Sequence, residues 1–196
     1  MVIKNKIILK SNFIEIKKFN KRNISEEYLS WLNDKEVTKY SQQRFIKYNK
    51  NKLINYYNEQ LRKKNLFLAI YFLEKRNQKI HVGNLGVIFN KLDNTADLSI
   101  LIGNKKYWNK KIATHAWVLA LEYLIKIRGV RMVTAGTLSV NIPMLKLINK
   151  TKMNIDGILK KRKIWNNKEV DIVLTSINKK NFFLKIKNAK YFIKNL

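Results

Sequence analysis

The apolar positions of this chain switch between two periods, and the switches mark its elements. Phe13 to Phe19 (FIEIKKF) alternates apolar and polar, which predicts a half-buried strand. NISEEYLSWL follows, with Ser25 placed to cap a helix that carries Tyr28, Leu29, Trp31 and Leu32. A second helix is predicted over Asn49 to Leu61. Leu66 to Leu73 (LFLAIYFL) reads as a strand, EKRNQ as a turn, and Lys79 to Phe89 as a strand interrupted by Gly83 and Gly86. KLDNT then suits a hairpin turn into a strand over Ala96 to Ile102. Ile112, Ala116, Leu119, Ala120, Tyr123 and Leu124 recur at helical spacing, predicting a helix from Ile112 to Arg128 that Gly129 ends. Val130 to Gly136 reads as a strand. Asn141 to Lys150 reads as a short helix with Pro143 in its first turn, where proline is tolerated. Ile155 to Trp165 and Glu169 to Ile177 are strands joined by Asn166–Asn167, a hairpin signal. This order predicts a mixed α/β domain around one central sheet.

With 196 residues, one proline and six glycines, the chain offers no linker or repeat. One domain over residues 1–178 is expected, followed by a basic amphipathic tail, 179–196. In that tail Phe183, Ile186, Ala189 and Ile193 fall near one helical face. A helix packed on the domain or on a second copy, as in a homodimer, is favoured over one lying on a membrane.

The lack of cysteine removes disulfides, thiolate metal ligands and a cysteine nucleophile, and a reducing cytoplasm fits. No metal site is expected. The N-terminus lacks the apolar core of a signal peptide, and no run approaches the roughly 20 residues of a membrane span. The net charge of +28, from 41 basic and 13 acidic residues, would attract nucleic acid, an anionic membrane or an anionic small molecule. Lysine far outnumbers arginine, whereas nucleic-acid readout favours arginine. A/T-rich codons for Lys, Asn and Ile account for the bias better, so nucleic acid is a disfavoured partner.

YWNKKIATHAW, Tyr107 to Trp117, lies between a predicted strand and a predicted helix. A strand, a short turn and a helix N-terminus make an anion cradle, because the first amides of a helix lack intrahelical partners. Asn109, Lys110 and Lys111 occupy the turn, where a phosphate-cradling loop usually has glycines.

Five stretches together resemble the Gcn5-related N-acetyltransferases (GNAT), especially their ribosomal-protein-acetylase-like branch and the amino-sugar acetyltransferases of polysaccharide gene clusters. They are EEYLSWLNDKEVTKYSQQRF (26–45), HVGNLGVI (81–88), ADLSILIGNKKYWNKKIATHAW (96–117), AGTLSVNIPMLKLI (135–148) and VDIVLTSI (170–177). The resemblance implies an α/β fold with a mostly antiparallel sheet whose fourth family strand splays. It implies acetyl-CoA as co-substrate, its pantetheine arm near Leu101, Ile102 and Gly103. The pyrophosphate would lie near Trp108, Asn109, Lys110, Lys111, Ile112, Ala113 and Thr114. Ala113 and Thr114 match the family's YWGKGYAT-like segment, while Asn109 and Lys111 replace its glycines. Asn141 matches an asparagine near the pantetheine arm, and it would equally serve as a helix N-cap. Ile148 stands where many members carry a tyrosine general acid. Lys150-Thr151-Lys152-Met153 replaces a KLGF-like ending.

The implied reaction is attack of a primary amine on the acetyl thioester, which needs orientation, an oxyanion donor and a base. Asp97, on the strand leading to the splay, is the first candidate base, or else the partner of a lysine. His81 is the second, or else a core histidine. His115 and Asp93 are weaker choices. On the acceptor side, Trp31, Asn33, Gln43 and Arg44 match residues of the sugar-linked branch. Trp31 also suits a core, and Arg44 would grip an acceptor phosphate or remain a surface cation. The expected acceptor is a small amine, chiefly a nucleotide-linked amino sugar. The alternatives are a protein N-terminus, or a basic nucleic-acid-binding module with a decayed cofactor site.

Overall fold

A computed structural model describes residues 7–74 and 78–186. Its strands are β1 (Ile8–Lys10), β2 (Ile14–Lys18), β3 (Leu66–Leu73), β4 (Lys79–Asn90), β5 (Thr95–Ile102), β6 (Met132–Leu138), β7 (Asn154–Trp165) and β8 (Lys168–Asn178). The α-helices are α1 (Glu26–Asn33), α2 (Lys35–Thr38), α3 (Lys50–Arg62), α4 (Ile112–Glu122), α5 (Ile142–Lys150) and α6 (Lys179–Lys185). The strands form one sheet, as the pattern predicts, in the order β1-β2-β3-β4-β5-β6-β8-β7, mostly antiparallel as the family resemblance implies.

By contact density the chain divides into two compact units. One comprises the described residues within 1–87 and 100–116, the other those within 88–99 and 117–196. The first is built around Phe19, Tyr28, Trp31, Leu32, Tyr48, Leu53 and Ala69, all buried. The caps of its helices are those the composition offers: Ser25 accepts from the Tyr28 amide and Asn49 from the Lys52 amide. Each satisfies an amide that the helix itself leaves unpaired. The second unit centres on Trp117, Leu121, Leu124, Val133, Ile177 and Phe182. The Trp117 indole N–H donates to the Met153 sulfur at 3.2 Å.

Four details depart from the sequence reading. β1 pairs antiparallel with β2, Leu9 opposite Ile16, although three residues are too few to show a period. α4 is regular only to Glu122, and Tyr123–Ile127 continues as a π-helical segment before Gly129 turns left-handed at φ 68°. The fifth predicted strand begins two residues later than the apolar run suggests, at Met132. The packing face of α6 is Phe182 and Ile186, one turn apart and buried, whereas Phe183 is exposed. Ala189 and Ile193 lie outside the described residues. Among those described, no helix is long and apolar enough to cross a membrane.

Candidate active site

The ladder between β5 and β6 is parallel and three pairs long, from Thr95 opposite Met132 to Asp97 opposite Thr134. β5 runs on to Ile102 beyond its end. Gly103 donates its amide to the Val82 carbonyl (3.0 Å), and so does Asn104 (3.2 Å). Backbone groups alternate along a strand, so the amides of Ile100 and Ile102 face the edge away from β4. The Ile102 carbonyl takes the Trp108 indole N–H at 2.8 Å. Of the predicted contacts for a cofactor arm, the Gly103 amide and the Ile102 carbonyl are therefore engaged within the protein. Trp108 anchors the turn to the strand end.

Gly103 has a steric reason to be glycine. A Cβ built on it would lie 2.1 Å from the Trp31 ring, so the indole rests directly on the backbone where β5 ends. Trp31, predicted among the acceptor contacts, is buried here at 5% exposure. Gly83 is similarly constrained, since a Cβ there would lie 2.3 Å from the Leu101 carbonyl oxygen. Three polar links join the α1–α2 region to the same stretch of chain. Glu27 accepts from the Asn104 amide group (2.8 Å), and Lys105 pairs with Asp34 (2.7 Å) and Glu36 (3.3 Å). The pairing with Lys105 holds the Asp34 carboxyl below its ordinary pKa.

The turn that opens α4 is left-handed twice, at Asn109 (φ 61°) and Lys111 (φ 57°). These are the two positions where the family pattern carries glycine. The third substituted glycine behaves alike, since Lys152, just after α5, has φ 60°. The backbone path that glycine makes cheap is thus retained without glycine, at a cost on the order of 1–2 kcal/mol per lysine. Lys111 precedes Ile112 directly, and a lysine has no acceptor with which to cap the helix. Two lysines, Lys110 and Lys111, directly precede the first turn of α4 in sequence. Lys110 also lies over the Tyr107 ring, 4.9 Å from its centroid, and Tyr107 donates its hydroxyl to Glu74 at 3.0 Å.

The histidines differ in environment. His115, in the first turn of α4, contacts the Ser11 hydroxyl (3.1 Å) and stacks on Phe13 (4.2 Å). Burial and the nearby Lys111 lower its pKa, so it is a neutral packing residue. His81 stands among Trp31, Tyr71, Phe19 and Tyr28, with ring centroids between 5.0 and 6.1 Å. Its Nε2 lies 3.1 Å from the Gly83 carbonyl and 2.9 Å from Asn84 Oδ1. A carbonyl only accepts, so Nε2 carries the proton and Nδ1 the lone pair. Burial lowers the pKa, outweighing the hydrogen bonds to Asn84 and Gly83 that raise it, and leaves a neutral ring.

Asp97 is exposed and accepts from the Thr134 hydroxyl at 3.0 Å. Low solvation around the carboxyl raises its pKa, and the Thr134 hydrogen bond offsets part of that rise. No cation pairs with it among the described residues. The other carboxylates show what the surplus of lysine usually does. Glu15, for example, is 1% exposed and surrounded by Lys10, Lys17 and Lys79. Asp93 is a turn residue that accepts from Asn90.

The remaining predicted residues make contacts within the protein. Asn141 caps α5, accepting from the Met144 amide (3.3 Å) and donating to Thr137 (3.0 Å). Asn33 clasps the Tyr48 backbone through both ends of its amide, at 3.1 and 2.8 Å. Gln43 accepts from the Tyr48 hydroxyl. Arg44 donates to the Ser41 carbonyl (2.7 Å) and stacks on Phe45 (4.2 Å). Ile148 is buried. The ion pairs of Lys105 escaped the sequence reading because they depend on partners distant in sequence, and the amide of Asn84 because its orientation follows from a β-bulge that no local pattern shows.

Comparison with known proteins identifies the family and the fold. The family model of the acetyltransferase (GNAT) domain matches residues 16–154, and the chain belongs to that family. It is an acetyl-CoA-dependent N-acetyltransferase. No curated protein sequence matches it. Solved structures with the same fold include a GNAT-family acetyltransferase from Bacillus anthracis. That structure is 22% identical with a TM-score of 0.75, the match covering 89% of this chain and 99% of the other. Another is the spermidine N-acetyltransferase of Vibrio cholerae in complex with CoA and spermine. There the identity is 16% and the TM-score 0.77, over 87% of this chain and 98% of that one. An N-acetyltransferase from Staphylococcus aureus Mu50 aligns at 17% identity and TM-score 0.69, covering 84% and 98%.

Proposed function

We propose that the protein acetylates the primary amine of a small acceptor, chiefly a nucleotide-linked amino sugar. The carrying observation is the doubly left-handed turn Asn109–Lys111 at the N-terminus of α4. Such a turn suits the pyrophosphate of acetyl-CoA. Converging first-turn amides would meet its oxygens, the positive end of the helix dipole would favour its charge, and Lys110 and Lys111 would add more. The backbone edge of β5 at Ile100 and Ile102 suits the amide-bearing pantetheine arm.

In this reading the amine reaches the thioester carbon as a free base, and the thiolate leaves. Asp97 takes the proton from the amine, directly or through one water. Its raised pKa suits that task, and among the described residues no lysine competes for it. His81, neutral with its Nδ1 lone pair unprotonated, is the second candidate. Ile148 cannot donate a proton, so the leaving thiolate is protonated by water. A sugar nucleotide fits a chain with a charge of +28, which draws anionic acceptors and repels polycations at long range. The Vibrio cholerae relative acts on spermidine and is bound to spermine, which supports a small amine as the acceptor class.

The test is calorimetric titration with acetyl-CoA, followed by free-thiol release across amino-sugar nucleotides, free amino sugars, polyamines and N-terminal peptides. Binding of acetyl-CoA with preferred turnover of an amino-sugar nucleotide is expected. Turnover of peptides alone would overturn the acceptor assignment.

A further inference from the structure

On β4 one residue has unspent hydrogen-bonding capacity. β3 and β4 pair with a register shift, Ile70 opposite Gly83 but Tyr71 opposite His81, so Val82 is the extra residue of a bulge. The bulge turns His81 and Asn84 to the same face, since their partners Tyr71 and Ala69 are two apart on β3. That face carries the aromatic cluster of Phe19, Tyr28 and Trp31, and Leu101 packs against it.

The orientation of the Asn84 amide follows from its neighbours. His81 Nε2 must be a donor, because the Gly83 carbonyl beside it can only accept. Asn84 therefore presents Oδ1 to His81, at 2.9 Å, and its NH2 group points away. That NH2 is the one buried side-chain polar group without a partner among the described residues, in a residue only 4% exposed. A buried donor left unmet opposes folding, and an apolar side chain of the same shape would avoid the cost. The next residue of β4 on that face is Gly86, half-buried, which carries no side chain.

We infer that Asn84 is a specificity-determining residue that donates its NH2 hydrogens to an oxygen of the acceptor lying close to the reacting amine. The inference rests on the amine-acetyltransferase reading and narrows it. The preferred acceptors are amines bearing a hydroxyl or carbonyl oxygen near the nitrogen, as an amino sugar does, and simple alkyl polyamines leave the amide unmet. His81 is the positioning residue of this arrangement. Its protonated Nε2 fixes which end of the amide faces the acceptor, and its aromatic neighbours fix the ring.

The experiment pairs two substrates with two proteins. Wild type and Asn84→Leu are assayed with 2-aminocyclohexanol and cyclohexylamine, which differ by one hydroxyl, following both thiol release and amine binding by calorimetry. The wild type is expected to prefer the amino alcohol by at least ~10-fold in kcat/KM, and Asn84→Leu to lose that preference. Asn84→Leu should melt close to wild type, since removal of the unmet donor offsets loss of the hydrogen bond from His81. Absence of the preference in wild type, or its survival in Asn84→Leu, overturns the inference. If Asn84→Leu fails to fold, Asn84→Ser keeps the test open, and retention of the full preference there overturns it as well. Failure of the broader reading looks different. Neither protein then releases thiol with any amine, while calorimetry still reports whether the amino alcohol binds better than cyclohexylamine and whether Asn84 is responsible.

Discussion

Trp31 rests on Gly103 so closely that a single added carbon would enter its ring, at 2.1 Å. The indole belongs to α1, and the glycine ends the strand whose edge suits the cofactor arm. The contact transmits any change in α1 to the start of the turn. Gly103→Ala should destabilise the fold by about 1–3 kcal/mol through overpacking. Thermal melting of Gly103→Ala, Trp31→Leu and the double variant checks this. The double variant should recover part of the loss, as coupled residues do.

Charge at the α4 turn is expected to carry much of the acetyl-CoA affinity. Lys110→Glu with Lys111→Glu should abolish binding measured by calorimetry, and wild-type affinity should fall steadily with added salt. Lys111→Gly separates charge from shape, because it keeps the left-handed backbone and removes one cation. Its affinity should lie between the two. Full affinity in the doubly reversed protein would remove this turn as the cradle.

Lys152 tests the conformational cost away from the proposed cradle. Its φ of 60° is the geometry in which glycine commonly ends a helix. Lys152→Gly should raise stability by up to about 1 kcal/mol, the relief of strain exceeding the extra flexibility of the unfolded chain. Urea unfolding reads this directly, and Lys152→Ala should not reproduce the gain.

Asp97 links activity to pH. Its pKa is raised, so the acid limb of kcat/KM should fall above the ordinary carboxylate range. Asp97→Asn should lower kcat by roughly 100-fold or more. The linkage has a definite sign. A carboxyl whose folded pKa exceeds its unfolded value favours folding at low pH and opposes it once both states are ionised. Asp97→Asn should therefore be at least as stable as wild type at neutral pH, and pH-dependent melting with steady-state kinetics would show the opposed effects.

Glu15 has the opposite sign. Desolvation pushes its pKa up, but hydrogen bonds from Lys17, Lys79 and Lys10 outweigh that and hold it at about 2. The stability it contributes is present above the unfolded value of 4.5 and is lost as pH falls from there towards 2. Urea midpoints measured across that window should drop less steeply in Glu15→Gln, which should already be weaker at neutral pH.

Period and capping residues carried most of the fold. Ser25, Asn49 and Asn141 are caps where their sequence positions require them, because capping is local, between residues two or three apart. Seven of the strands and the longer helices follow from apolar spacing for the same reason. β1 and the π-helical end of α4 do not, since a three-residue strand has no readable period and a π turn keeps an α-like pattern.

For the site, the sequence by itself determined which residues stand where glycines belong, Asn109, Lys111 and Lys152, and so posed the question of whether the turn survives. Tertiary structure alone decided that all three adopt the left-handed backbone, because surrounding packing sets φ at a tight turn and overrides residue preference. It also decided that Trp31 is a wall resting on Gly103, that the Asn84 NH2 group points away from His81, and that Asp97 meets Thr134 and, among the described residues, no lysine. The first and last depend on partners brought together across tens of residues, and the second on a β-bulge set by pairing with a distant strand, so no local pattern encodes them.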